Sequence, residues 1–514
     1  MIHKNKVMGA FATLVVSALV LTGCSGGEPN GDTNGSSGEP DSSAVAQSLT
    51  VAPINFPASL DIVLYPAEEG VLLFSEQVLD TLVRATDGAF EPRLADDWEN
   101  PDPNTWVFNL REGVTFSDGT PFTSSDVKAT MERHVAIESV LAPLLAAVVD
   151  IDDSDPAQVV ITTETPLGNL LGTLSLMYVG VGESVNDEAY WLAPIGTGPF
   201  KVDSYTPDDS VKMSRNDSYW GTPAILDTLE FVQIPEASSR LTGLETGEVD
   251  VTTGVAADQL EGVRSIDGVT VDSVDSLTYW LGWFNHEDER VTSDVRVRQA
   301  LWHAVDFETI IPALYGDTAS IGRAPVAAAA FGAPVLEPYA YDPELAKQLL
   351  ADAGYPNGLE TTLSWPIDGG PNIKELAQVM ISAWAEIGVT VTPVESQRAN
   401  WVDDLLAHNW DIQIFTNTTQ TGDADFTIGR LYTSAADRLG FASDEVDAWL
   451  AEAASSVDQD RRKELFGLVS EYLWDNAVGY WPAQIKINVA YQDDITGLEL
   501  PANGRIQFAV VERN

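Results

Sequence analysis

Residues 361–415 switch repeatedly between two periods. β-Branched and aromatic runs at 361–365, 389–394 and 410–415 read as strands. Between them, apolar positions recur at helical spacing over 373–387 and 400–408. Strands separated by helices of this length need crossover connections on an open sheet, so this part of the chain is predicted to be α/β. Upstream, residues 279–285 make an apolar, aromatic run of one strand's length, closed by the polar run 286–290. Ser293 and Asp294 can then cap a helix whose Val297, Ala300, Leu301, Ala304 and Val305 share one face. A buried strand therefore hands directly to an amphipathic helix, and further helices are predicted at 444–455 and 460–473.

A length of 514 residues implies two to four domains at about 100 to 200 residues each. A hydrophobic content of 44%, with 14 Trp, 14 Tyr and 17 Phe, is enough to build their cores. The formal net charge of −51 repels phosphate, which argues against nucleic acid as a partner and against docking on anionic lipid through a basic patch. We read the acids as scattered over solvated faces and assign them no ligand. Cys24 is the only cysteine, so no internal disulfide and no thiolate metal site is available. His134, His286, His303 and His408 lie far apart and read as ordinary surface or core groups. His286-Glu287 is followed by Arg290 rather than a second histidine, and neither GxxxxGK[ST] nor GxSxG occurs. The chain is therefore predicted to be no enzyme and to hold no metal or cofactor.

Residues 1–23 read as a signal peptide, with His3, Lys4 and Lys6 ahead of an apolar core over 8–21. That core is too short to span a bilayer as a mature helix. Leu21-Thr22-Gly23-Cys24 resembles the lipobox of bacterial lipoproteins, which implies a lipidated Cys24 and attachment to the outer face of the cell membrane without a transmembrane helix. Residues 24–47 hold almost no apolar side chain and read as a flexible tether of about 25 Å average reach.

In the body of the chain, residues 106–110 alternate as a strand, Arg111-Glu112-Gly113 turns, and 114–116 is expected to return as a hairpin. Ser124 or Ser125 is expected to cap the helix that carries Val127 and Met131. Asp342 and Pro343 open a helix that Gly354 closes. A strand is expected over 484–490 and another over 506–511.

Several of these blocks resemble one family. Residues 110–122, followed by Asp126-Val127, resemble L-R-x-G-V-x-F-x-D-G-x-P-[FL]-x-x-x-D-V, and 294–306 resembles D-x-R-V-R-Q-A-L-x-x-A-[IV]-D. Residues 194–200 are similar to P-x-G-T-G-P-[FY], where Gly196 and Gly198 either present backbone N–H groups to a ligand or make a tight bend. Ser59-Leu60-Asp61 is similar to the family's S-L-D-P, with Ile62 in the proline's place. These motifs belong to the extracytoplasmic solute-binding proteins of peptide, nickel and related ABC importers, family 5, and the likeness runs from about residue 49 to 511.

The resemblance implies a two-lobed α/β clamp of the periplasmic-binding-protein type with a small additional α+β domain. The first lobe would comprise 48–75, 194–278 and 484–514, the additional domain 76–193, and the second lobe 279–483. It also implies a monomer that captures a small-molecule or peptide ligand and delivers it to ABC permease and ATPase subunits. A sensor with the same clamp, or a receptor for an oligosaccharide or nickel chelate, is the alternative.

Aromatics of such a cleft would be Trp280, Trp283, Trp365, Trp401, Tyr480 and Trp481. The family's peptide-anchoring aspartate falls on Gln420 here, and its accompanying Trp on Asn417. Thr421-Gly422-Asp423-Ala424-Asp425 instead resembles the T-G-D-A-[DE] of glutathione-like and oligopeptide-like branches. Asp423 either turns inward as the replacement anchor or caps the turn in solvent. Lys374 lies near a position where relatives hold a ligand carboxylate.

Overall fold

The computed structural model describes residues 46–86 and 88–514. The signal peptide, the lipobox with Cys24 and nearly all of the tether lie outside the described residues, as does Asp87.

Two long strands join the lobes. The outgoing strand Val269–Phe284 pairs with the return strand Ala483–Gln492 over 269–275, in the first lobe. Its far end, 278–284, pairs along its other edge with Ile412–Thr418 of the second lobe, while Tyr279 still meets Gln484 of the return strand. One twelve-stranded sheet therefore runs through both lobes. On the second-lobe side its order is Val389–Ser396, Leu359–Pro366, Ile412–Thr418 and the outgoing strand. On the first-lobe side the return strand is followed by Val251–Thr253, Ser48–Ala52, Thr228–Val232, Ser210–Arg215 and Phe200–Thr206.

The second lobe has the predicted α/β alternation. Leu359–Pro366 lies parallel to both Val389–Ser396 and Ile412–Thr418, with the helices Ile373–Glu386 and Arg398–Leu406 as crossovers. Asp294 caps the helix Val295–His303 through the Arg296 N–H, and Asp342 caps Pro343–Asp352 through the Leu345 N–H. The outgoing strand reaches ten residues further back than its apolar run, because its first half is only half-buried and carries Thr270, Asp272, Ser273 and Asp275.

In the first lobe, a four-stranded antiparallel sheet stands apart, in the order Ala95–Asp102, Thr105–Leu110, Gln158–Thr163, Val148–Asp152. The helix Ser124–Ala136 packs on it through Val127 and Met131, which share a core with Trp106 and Phe108. Separate apolar clusters fill the second lobe and the main sheet of the first.

Three local expectations are corrected, and one left open between two readings is decided. Residues 114–116 do not return as a strand. The partners of Thr105–Leu110 are Ala95–Asp102 and Gln158–Thr163, while 114–122 closes on itself through Phe116 N–H to Thr120 O and Phe122 N–H to Val114 O. The helix cap is Thr123, in a capping box with Asp126, and Ser124 Oγ instead donates to the carbonyls of Asp153 and Asp155. Residues 506–511 form no strand: Phe508–Val510 is a 3₁₀ turn whose neighbours Ile506 and Val511 are buried with it in the first-lobe core. Gly196 and Gly198 make the bend. Gly198 N–H donates to Val78 O at the end of the helix Glu69–Val78, and a Cβ on Gly196 would collide with that same carbonyl.

Gly282, on the outgoing strand, lies under the ring of Tyr480, which pairs with it from Gly479–Tyr480. Tyr480 is fully buried and its hydroxyl donates to Gln413 O, so the ring has nowhere to move. Gly282→Ala is expected to destabilise the chain by about 1 to 3 kcal/mol through overpacking. A fall in the urea midpoint would show it, and an unchanged midpoint would refute the packing argument.

Candidate functional site

The joint between the lobes is irregular by construction. Strand pairing breaks between Asp275 and Tyr279, and the side chain of Gln484 fills the gap by donating from Nε2 to the carbonyls of Ser276 (2.7 Å) and Thr278 (2.6 Å). Ser276 Oγ donates back to Ile485 O at 2.8 Å. A bulge held by side chains keeps the two strands together while letting their direction change.

Two cavities open beside this joint, each lined by both lobes. The larger, about 940 Å³, is bounded by Asn55, Glu69, Asp258 and Arg264 of the first lobe, by Pro312–Thr318 and Asn372 of the second, and by Ile485–Asn488 of the return strand. Across it Arg264 Nη1 meets Asp317 Oδ2 at 2.6 Å, an exposed ion pair between the lobes. The smaller, about 500 Å³, lies between Arg84, Thr86, Glu91, Asn503 and Gln507 on one side and Ala329 and Gly422 on the other, with Leu277 of the bulge at its floor. Leu500 borders both. Small-molecule sites in proteins are concave and fall preferentially where domains meet.

The lobes also touch directly. Gly88 N–H donates to Ala329 O, Phe90 packs on Phe331 with ring centroids 5.8 Å apart, and Gly168 N–H donates to Ala454 O at 2.8 Å. Beside these, Asn169 Nδ2 of the small domain donates to Asp425 Oδ2 of the second lobe at 2.6 Å.

The six aromatics singled out from the sequence are all less than 5% exposed. Pairing registers put Trp280, Trp365 and Tyr480 on one face of the second-lobe sheet, where Trp280 meets Tyr315. Trp283 and Trp401 both meet Phe415 on the other face. Trp481 stacks on Trp474. Helices cover both faces, so these rings are packed in the core of the lobe, and none of them lines either cavity. Lys374 is exposed and pairs with Glu395 at 3.3 Å, within the second lobe. Asn417 Nδ2 donates to the Tyr279 hydroxyl, and Gln420 is partly buried two residues before Gly422.

Asp423 does turn inward, but its carboxylate is already taken. Arg462, itself fully buried, grips it from Nη1 (2.8 Å) and Nη2 (3.0 Å), and Asp423 Oδ1 accepts the Asp425 N–H as well. The Arg462 guanidinium lies over the rings of Phe331 and Phe466. Arg84, Arg462 and Gln507 escaped the sequence reading because no local pattern marks them. Among the described residues no group of His, Cys, Asp or Glu is arranged to hold a metal ion. Each of the four histidines has a partner: His134 meets Ser139, His286 the carbonyl of Val478, His303 that of Ala340, and His408 meets Glu287.

Burial at the lobe contact, together with the neighbouring Asp423 carboxylate, pushes the Asp425 carboxyl from its ordinary 3.8 up to about 6, against the opposing pull of Arg462 and the Asn169 hydrogen bond. A carboxyl whose folded value is raised favours the folded form while protonated. Its contribution is full below about pH 4 and is lost as pH rises through about 6. Asp425→Asn is expected to flatten the loss of stability across that interval and to raise the melting temperature at pH 7.5. Melts at pH 4.5 and 7.5 check it, and an unchanged pH profile would sink it.

Comparison with known proteins agrees with this geometry. The family model for bacterial extracellular solute-binding proteins, family 5, matches residues 89–438. Heme-binding protein A of Haemophilus influenzae is 28% identical over 507 residues, covering 89% of this chain and 90% of that protein. The dipeptide-binding protein of Escherichia coli is 25% identical, covering 81% and 85%. The solved structure of HbpA2 from Haemophilus parasuis superposes with a TM-score of 0.84 at 24% identity, over 91% of this chain and all of that one, which is a likeness of fold. With two lobes on a shared pair of strands, inter-lobe cavities and a family match over most of its length, this chain belongs to the bacterial extracellular solute-binding proteins of family 5.

Proposed function

We propose that the chain is the receptor of an ABC importer, held at the outer face of the cell membrane by a lipid on Cys24 and acting as a monomer. It captures a peptide-like solute between its lobes and presents the closed form to permease and ATPase subunits. The observation that carries this reading is the pair of cavities lined by both lobes beside a jointed pair of strands. A solute there contacts the two lobes at once, and only a ligand that binds the closed form better than the open one shifts the clamp. Supporting the peptide-like class are relatives named for a dipeptide and for glutathione. We take the first lobe as 48–75, 194–278 and 484–514, the additional domain as 76–193, and the second lobe as 279–483. The family is one of binding proteins, and the work assigned here is reversible binding without chemistry.

Native mass spectrometry of the full chain, purified in mild detergent from cells grown on rich medium, tests the solute. A retained series of peptides is the expected result, and a single non-peptide solute would reject the class while keeping the receptor. For the anchor, Cys24→Ser is expected to move the chain from the membrane fraction to the soluble fraction, and a chain still recovered with membranes would overturn lipidation at Cys24.

A further inference from the structure

The smaller cavity has a polarity of its own. Its wall is built by the hairpin Val83–Thr86 and Ala89–Pro92, in which Arg84 stands directly opposite Glu91. The two do not ion-pair, and no carboxylate of a described residue lies within pairing distance of the Arg84 guanidinium. Among the described residues its one hydrogen bond runs from Nη1 to Gln507 Oε1, at 3.0 Å. Gln507 is itself fixed, because its Nε2 donates to Glu76 Oε1 at 2.8 Å, and Glu76 is locked in the buried network of Arg93 and Tyr178. Arg84 is thus held at one nitrogen by a chain of bonds leading into the core, and no other described residue bonds the rest of its fork, which suits a planar acceptor.

The surroundings narrow the class. Glu91 and Glu499 line the same cavity and are exposed. With a net charge of −51 on the chain, a ligand of net negative charge is repelled at long range. A molecule carrying one carboxylate together with one ammonium is neutral at a distance and complementary close by. The position also suits closure: Gly422 of the second lobe and Leu277 of the bulge face Arg84 and Asn503 across the cavity, so a ligand there touches both lobes and the joint.

We propose that Arg84 receives the carboxylate of an amino-acid-derived zwitterion, a free-acid peptide being the fitting case, while Glu91 and Glu499 receive its ammonium. This assignment rests on the peptide-like reading given above. It makes Arg84 a specificity-determining residue contributed by the small domain and acting at the lobe interface.

The test uses the full chain in mild detergent and three probes: a tryptic digest of casein, the same digest methyl-esterified at its carboxyls, and the same digest acetylated at its amines. Retained peptides are quantified by mass spectrometry after equilibrium dialysis. Loss of a charge-assisted bond should lower retention about tenfold or more. The wild-type chain is expected to retain the free-acid digest and to lose retention of the esters by that factor, with a fall for the acetylated digest as well. Arg84→Gln is expected to bind free acids as weakly as the wild type binds esters, and to stop discriminating between them. Arg84→Lys should recover part of the difference. Esters retained as well as acids by the wild type, or free acids retained undiminished by a folded Arg84→Gln, would overturn the assignment while leaving peptide binding intact. Retention of no peptide in any form would overturn the peptide-like reading and this assignment with it. If Arg84→Gln fails to fold, Arg84→Lys decides in its place: a folded Lys variant that separates acids from esters as fully as the wild type would overturn the assignment.

Discussion

Everything in this molecule depends on two antiparallel strands that belong to both lobes. Val269–Phe284 and Ala483–Gln492 exchange hydrogen bonds in the first lobe, and then the outgoing strand turns to Ile412–Thr418 in the second. A joint made of paired backbone resists separation, since each buried N–H and C=O must find a partner. The interruption at 276–278 gives it freedom to bend, and Gln484 satisfies the carbonyls that the bulge would otherwise leave bare. One amide side chain thereby makes a kinked strand compatible with burial. The smaller cavity opens beside the same bulge, with Leu277 in its lining.

Charge inside the protein is placed with similar economy. Arg93 bridges Glu76 and Asp80, and Asp80 also accepts Thr197 Oγ and the Trp220 indole, which ties the small domain to the first-lobe sheet. Arg462 and Asp423 do the same within the second lobe, joining the loop after Ile412–Thr418 to the helix Gln459–Asp475. Removing one member of such a pair typically costs about 3 to 5 kcal/mol because the other charge is left buried. These pairs fix the walls of the clamp, and a wall so fixed keeps Gly422 and Arg84 facing one another.

Much of the fold was readable from local pattern. Period and length identified the alternating strands and helices of residues 359–418, and Asp294 and Asp342 announced their helices because a capping carboxylate acts within three residues of itself. The reading failed where local signals were ambiguous. Gly113 suggested a hairpin, but the edges of Thr105–Leu110 were claimed by strands that begin ten residues before and nearly fifty after it. Phe508 and Val511 have strand-like character, yet Phe508 serves the core from a 3₁₀ turn and Val511 from the residue that caps it.

The candidate site was less legible, for a definite reason. An aromatic side chain favours burial in a core and in a cleft alike, so Trp280, Trp283, Trp365 and Trp401 could be counted from the sequence but not placed. Covering helices on both faces of the sheet decided the matter. In the same way Asp423 was recognisable as a turn acid, while its partner Arg462 lies 39 residues on, in a helix whose spacing gives no hint that this cation points inward. The sequence by itself determined the α/β alternation of residues 359–418, which follows from periodicity, caps and turns that act over a few residues, while the clamp was implied only through motifs that resemble a family. Only the tertiary structure decided which side chains face the space between the lobes, because that depends on surfaces brought together from segments hundreds of residues apart.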